Sequence, residues 1–319
     1  MTTRPETIYG VTNLWVDKNY KYEIFEVITN HDKSYWICQE FNLLSLKNQT
    51  RCTDEYYIKE YTKINDIKGN DLVKLSVIHP LNFIESKSKS DSQYNNTIIV
   101  APLNFQNIDQ SLKINTNKGT GIIMSVPSDS PIDYLGCLYT NNQGNIKINA
   151  PIKPIIKCTH ADYTGNLMAI DMINRVKTEK NNVITVNNID MNIIKEFCYI
   201  GSINNSIMLT GDYSGHIVTE ARNYISTDKK FNRIIIKYYE PDQEAYSRMG
   251  DKLIVAKMDQ WYIDYGNPDW KILALNHLES MNFTDSVVKN GLNIAINWLD
   301  KWPCSRTYGL GSNFPEEIV

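Results

Sequence analysis

The chain has no CxxC pair, no apolar run near the length of a membrane span and no block of charge of one sign, and each absence removes a class of function. Its six cysteines (Cys38, Cys52, Cys137, Cys158, Cys198, Cys304) are scattered. That scatter fits reduced thiols better than a disulfide framework or a zinc knuckle, and no metal is expected. A membrane helix needs about 18 to 20 apolar residues in a row, which the sequence nowhere supplies. The opening residues lack the apolar core of a secretory signal, so the chain is expected to be cytoplasmic, neither secreted nor membrane-bound. The 33 basic and 36 acidic residues give a formal charge of -3, which argues against coating nucleic acid by bulk attraction to phosphates. Any RNA contact must then be local. The five histidines (His31, His79, His160, His216, His277) fall in no ligand spacing, and Cys158 with His160 is too little to hold a metal.

What is present suits a globular protein of one large or two small domains: 319 residues, 42% of them hydrophobic. Runs rich in β-branched and aromatic residues at 11–16, 35–38, 72–78, 97–100, 121–126 and 233–238 predict strands, separated by Gly, Asn, Pro and Ser clusters. Apolar residues at three- and four-residue spacing predict helices over 165–177, 189–199, 217–226 and 270–298. The class is therefore mixed α/β. Residues 85–96 and 178–182 show no apolar periodicity and read as solvated loops. The tail from Trp261 is more helical and aromatic; its aromatics over 259–265 are expected to pack a core rather than stack on bases. Gly309 and Gly311 lack the third glycine of a phosphate loop and read as a turn.

Two segments far apart in sequence carry the chemistry: TTRPET at 2–7 and GTGIIMSVPSDSPID at 119–133. The first packs three hydroxyls and a guanidinium into six residues; read alone it is a polar loop leading into a strand. In the second, Gly119 and Gly121 allow a tight turn, residues 122–126 fill a strand and Pro127 ends it. Ser130 then reads as a helix N-cap with Pro131 at the first helical position. Asp133 falls at the third, where its carboxylate can close a capping box. The same position favours its ionised form through amide hydrogen bonds and the helix dipole, and an ionised aspartate can hold a substrate ammonium. The residues alone leave both readings of Asp133 open.

Together, TTRPET, the GTG turn and strand, VPSDSP and the following aspartate resemble the editing insertion of leucyl-tRNA synthetases, in its eukaryotic and archaeal form. Segments 258–266 (MDQWYIDYG) and 304–311 (CSRTYGLG) are similar to the stretch where that insertion returns toward the aminoacylation core. One departure is Ile132, where the eukaryotic family has an aspartate; the following Asp133 matches the family's key carboxylate. The resemblance implies a β-barrel-like editing core of the class I synthetases with peripheral helices. Residues 1–260 would form it, with eukaryote-type insertions over roughly 140–230, and residues 261–319 would be a helical, aromatic return segment. HIGH- and KMSKS-type signatures are absent, so ATP would act only in an aminoacylation core outside this chain, and editing would need no cofactor.

The resemblance further implies post-transfer editing: hydrolysis of the aminoacyl ester on the 3' end of leucine tRNA when it carries norvaline, isoleucine or methionine. Asp133 would anchor the substrate ammonium, with Thr2 and Thr3 stabilising charge at the reacting carbonyl. Thr7 would exclude the leucyl side chain. Arg4 would meet the terminal phosphate, and Met124, Val126 and Ser128 would hold the terminal adenosine. The partners implied are that tRNA end and the rest of the synthetase, with no membrane. Competing readings are an isoleucyl- or valyl-type editing domain, and a silent module that binds the tRNA 3' end without hydrolysis.

Overall fold

A computed structural model describes residues 2–82, 97–103, 114–160, 163–179, 191, 194–201, 206–232 and 234–305. The chain enters through a 3-10 turn, Pro5–Gly10, whose leading proline has its φ preset for a helical start. Strands β1 (Asn13–Val16), β2 (Lys21–Thr29) and β3 (Lys33–Cys38) follow, then helix α1 (Glu40–Gln49), strand β4 (Ile58–Lys68) and a single helical turn α2 (Gly69–Leu72). Strands β5 (Ser76–Ile78), β6 (Thr97–Pro102) and β7 (Ile123–Ser125) lead to helix α3 (Pro131–Asn142). After it come β8 (Ile156–His160), β9 (Tyr163–Gly165), helix α4 (Met168–Glu179), a π-helical turn Phe197–Gly201, β10 (Ser206–Met208) and helix α5 (Val218–Thr227). The chain divides into two units, Met1–Ala256 and Lys257–Val319. In the second unit β11 (Tyr262–Asp264) pairs with β12 (Lys301–Pro303), and helices α6 (Pro268–Ser280) and α7 (Ser286–Trp298) lie between them in sequence.

The site is built on the four-stranded sheet of order β5-β6-β1-β7, in which β1 runs parallel to β6 and antiparallel to β7. Flanked on both edges, β1 is buried along most of its length, with only Leu14 partly exposed. Trp15 joins Ala101, Ile114 and Cys137 in one apolar cluster, while the next residue, Val16, joins Tyr22, Leu72 and Val100 in another. Truncating a fully buried aromatic such as Trp15 costs about 3–5 kcal/mol. Helix α3 is able to approach because Gly136 carries no side chain: a Cβ there would meet Trp15 Cζ2 at 2.9 Å. The two other sheets of the first unit, β3-β2-β4 and β10-β8-β9, are separate from this one. Among the described residues no sheet closes on itself, so the expected barrel is replaced by several small open sheets.

Several other expectations are corrected. Only Ser76–Ile78 of 72–78 is strand, since the residues before it turn through α2. Residues 234–238 form no strand: Ile234 and Ile235 pack on the cluster of Ile8 and Phe231, and Ile236 and Tyr238 on that of Phe25 and Leu43. That apolar run is partly buried as irregular chain feeding two clusters, which alternation does not reveal. The helix expected over 270–298 is broken, because Asp285 accepts a hydrogen bond from Val287 N–H and starts α7 afresh. Of the helix expected over 189–199, residues 191 and 194–196 are helical where described, and only its end departs, as the π-helical turn Phe197–Gly201. Trp261, Tyr262 and Ile263 are exposed rather than packed in a core. Residues 85–96, most of 178–182, Gly309 and Gly311 lie outside the described residues.

Candidate active site

Both halves of the sequence pattern reach one cavity of about 530 Å³ in the first unit. Its lining includes Thr2, Thr3, Arg4 and Thr7 from the opening segment, Met124 and Val126 at the end of β7, and Asp133 on α3. Seven of the eight residues singled out from sequence thus meet, although more than a hundred positions separate the two groups. Ser128 is the exception: it is buried, is not among the lining residues, and its hydroxyl donates to Asp129 at 2.5 Å. Ile132 also lines the cavity, and it packs on the cluster that holds Met168 and Ile173.

The turn before β7 works as its glycines demand. Gly121 has φ +68, a backbone region open to glycine, and its carbonyl accepts from the Tyr22 hydroxyl at 3.1 Å. The chain then runs straight into β7, and Ser130 caps α3 by accepting from Asp133 N–H at 3.4 Å with Pro131 at the first position. Only this half of the capping box forms. The Asp133 carboxylate turns away from the Ser130 amide: Oδ2 accepts from Val126 N–H at 2.8 Å, and Oδ1 from the Trp15 indole N–H at 2.9 Å.

Those contacts favour the anion, as the sequence suggested, but they do not decide its titration. Burial dominates and pushes the carboxyl from its ordinary 3.8 up to about 6, against the pull of Val126, Trp15 and Ser130. No cation is among the groups that set it. At pH 7 the group is then mostly ionised, a negative charge facing a cavity with no positive partner among the described residues. Asp129, also buried, is likewise raised, by burial first, with Arg4 and Ser128 opposing and Glu6 adding to it.

The opening segment is held by contacts that the sequence did not announce. Glu6 is fully buried and its Oε1 accepts from Arg4 Nε and from Arg222 Nη2, each at 2.9 Å; Oε2 accepts from Arg222 Nε at 3.1 Å. Arg222 projects from α5, over two hundred residues away, so no local pattern could have paired it with Glu6. Arg4 is only 12% exposed at its side chain, and its Nη2 is buried without a hydrogen-bond partner. Thr2 Oγ1 accepts from Arg4 N–H at 2.9 Å, which leaves its own proton to donate. Thr7 donates its hydroxyl to the Arg4 carbonyl at 2.8 Å, which fixes the rotamer of its branched side chain. Among the described residues no group of three or more His, Cys, Asp or Glu is placed to hold a metal ion.

Comparison with known proteins agrees on one family. No protein-family model matches the chain. It is 30% identical over 326 residues to the cytoplasmic leucine-tRNA ligase of Dictyostelium discoideum, covering 98% of this chain and 28% of that relative. The chain thus spans somewhat over a quarter of that relative's length. Its fold is similar to the crystal structure of GlLeuRS-CP1, with a TM-score of 0.57 and 26% identity, covering 76% of this chain and 83% of that one. It is also similar in fold to the editing domain of the Plasmodium falciparum cytosolic leucyl-tRNA synthetase (TM-score 0.50, 20% identity, 70% of this chain and 74% of that one). The chain is therefore homologous, along nearly its whole length, to a segment of the cytoplasmic leucyl-tRNA synthetases, and it has the fold of their editing domain.

Proposed function

We propose that the chain hydrolyses the aminoacyl ester of mischarged leucine tRNA in the cytoplasm, sparing leucyl-tRNA, as part of a leucyl-tRNA synthetase. The observation that carries this reading is the meeting of Asp133 with Thr2, Thr3 and Thr7 around one cavity whose volume suits an esterified nucleoside. A binding site for a small aliphatic amino acid separates analogues differing by a methylene by only about 1–3 kcal/mol, so a synthetase needs a second, destructive sieve.

Asp133, mostly ionised at neutral pH and with no cationic partner among the described residues, takes the α-ammonium of the substrate and so orients the ester. Thr2 and Thr3, at the exposed mouth, donate to the carbonyl oxygen as water adds to the carbon and charge develops there. The C–O bond to the ribose then breaks, the ribose oxygen takes the proton, and free amino acid and intact tRNA leave. Thr7, its rotamer locked, presents a rigid wall that a γ-branched chain meets and norvaline, isoleucine or methionine avoids. The buried Arg4 Nη2 offers a donor for the terminal phosphate, and Met124 with Val126 forms an apolar wall for adenine. Neither metal nor cofactor takes part; ATP is used only in an aminoacylation core.

The test is hydrolysis of norvalyl- and leucyl-tRNA by the full chain, without ATP and with a chelator present. Norvalyl-tRNA is cleaved, Asp133→Ala lowers that rate by about 10²- to 10³-fold, and Thr7→Ala extends cleavage to leucyl-tRNA. Binding of the tRNA end with no cleavage by the native chain supports the silent module instead.

A further inference from the structure

We infer that Trp15 is a positioning residue for the reaction: its indole N–H aims the Asp133 carboxylate into the cleft, and Gly136 provides the seat on which the ring lies. The inference rests on the editing role assigned above to Asp133. Asp133 has two carboxylate oxygens and two fixed donors, one from β1 and one from the residue that follows β7. Strand β1 and the residue just past its neighbour β7 therefore hold opposite ends of the carboxylate, and the strand register, with Trp15 opposite Ile123, fixes one donor relative to the other. Each oxygen keeps a lone pair for an incoming ammonium. The anion faces a cavity, so without such a clamp the side chain could turn about its bonds toward other donors at the mouth.

Trp15 itself is fully buried, which an ordinary core tryptophan also is. What sets it apart is the target of its one polar atom and the close approach of helix α3. Any Cβ at position 136 meets Cζ2 at 2.9 Å and Leu103 Cδ1 at 3.0 Å, so the glycine lets the ring occupy the place from which it reaches the carboxylate. Other titratable groups face the same carboxylate. On its own helix is Cys137, whose thiol burial pushes up to about 12; from the π-helical turn comes Tyr199, whose hydroxyl burial also raises and which lies 3.3 Å from Ser130 Oγ. Arg4, Lys118, Arg222 and the buried Asp129 line the same cavity. Cys137 and Tyr199 do not change charge near pH 6, so Asp129 is the acid to be separated from Asp133.

The first measurement needs no activity. In the ¹⁵N-labelled native chain the indole N–H resonance of Trp15, assigned by its loss in Trp15→Phe, moves with pH with a midpoint near 6. In Asp133→Asn it no longer does, which separates Asp133 from Asp129. The second uses Trp15→Phe, which keeps an aromatic ring in the smaller side chain and removes the donor. Loss of one hydrogen bond to a charged group moves the acid limb of kcat/KM for norvalyl-tRNA up by about one to two pH units, with most of the rate recovered by pH 8.5. An indole signal insensitive to pH between 5 and 8 overturns the inference, as does a loss in Trp15→Phe that is equal at every pH. If Trp15→Phe does not fold, triple-resonance assignment of the native chain identifies the indole signal, and its titration still decides. If the native chain cleaves no ester, the proposed function fails while the indole titration still judges the Trp15–Asp133 link.

Discussion

Acidic residues in two regions of the first unit meet opposite fates. On the outer face of the β3-β2-β4 sheet, Glu26 pairs with Lys33 at 2.9 Å, while Asp66 takes both Lys21, at 2.5 Å, and Lys63, at 2.8 Å. The Lys33 hydrogen bond holds Glu26 below the usual carboxylate range, and those of Lys21 and then Lys63 do the same for Asp66. In the cleft, Asp133 and Asp129 are raised because burial outweighs every hydrogen bond they receive. Half-buried acids with exposed lysine partners contribute little, since water still reaches both charges. A buried acid without a cation costs stability, and a fold keeps such a cost where the charge has work to do.

The sharpest way to break this contrast is to unbalance Glu6, a buried acid that is ion-paired to two arginines lining the cleft. Glu6→Ala leaves the Arg4 and Arg222 guanidiniums without their shared carboxylate and is expected to cost about 3–5 kcal/mol, read by urea denaturation. A loss under 1 kcal/mol would show that the Glu6 cluster behaves like the surface sheet.

Next in size is the pH dependence. The raised carboxyl of Asp133 means the folded chain binds its proton more tightly than the unfolded one. Stability from this group is therefore present below pH 3.8 and lost as pH rises through about 6, on the order of 3 kcal/mol in all. Glu26 and Asp66 act with the opposite sign: their contribution is present above the usual carboxylate range and lost as pH falls below it. Comparing the stability slope between pH 4 and 6.5 in native chain and Asp133→Asn isolates the cleft. Deacylation should climb tenfold per pH unit over the acid side of that window, so activity gains where stability declines. A slope unchanged in the variant assigns it to another group.

The smallest effect is expected at Lys63, which is bonded to both Glu23 and Asp66 on the sheet surface. Lys63→Ala should leave the thermal midpoint almost where it was, with any difference vanishing in 1 M salt.

Much of the cleft could be read from short-range chemistry. Ser130, Pro131 and the run before them declare a strand, a stop and a helix start, and the structure has β7, the Ser130 cap and α3 there. The opening threonines and Asp133 were recognisable as a pattern, though nothing in their spacing said they would share a cavity. What stayed hidden is what acts across distance. Trp15 looks like any strand tryptophan until its indole is seen on Asp133, and Arg222 looks like any surface helix cation until Glu6 is seen beneath it. Residues 234–238 have a strand's composition, yet their apolar side chains are divided between two clusters, so burial is reached without a ladder. The break before α7 was legible in Asp285, an N-cap residue inside an otherwise continuous apolar period. The exposure of Trp261 and Tyr262 was not, because aromatic composition alone does not say which face is covered.

The shortness of β1 has a mechanical outcome. Within a dozen or so residues, a single stretch of backbone carries the threonine-bearing entry, then the indole beneath the aspartate, while its ladders to β6 and β7 tie it down on either flank. Sliding that ribbon by one position would swing Trp15 to the opposite side and drag Thr7 along the floor, losing grip and sieve in the same motion. An engineer widening the amino-acid pocket therefore has room to alter individual side chains, and none to insert or delete a residue between the entry and the end of this ribbon.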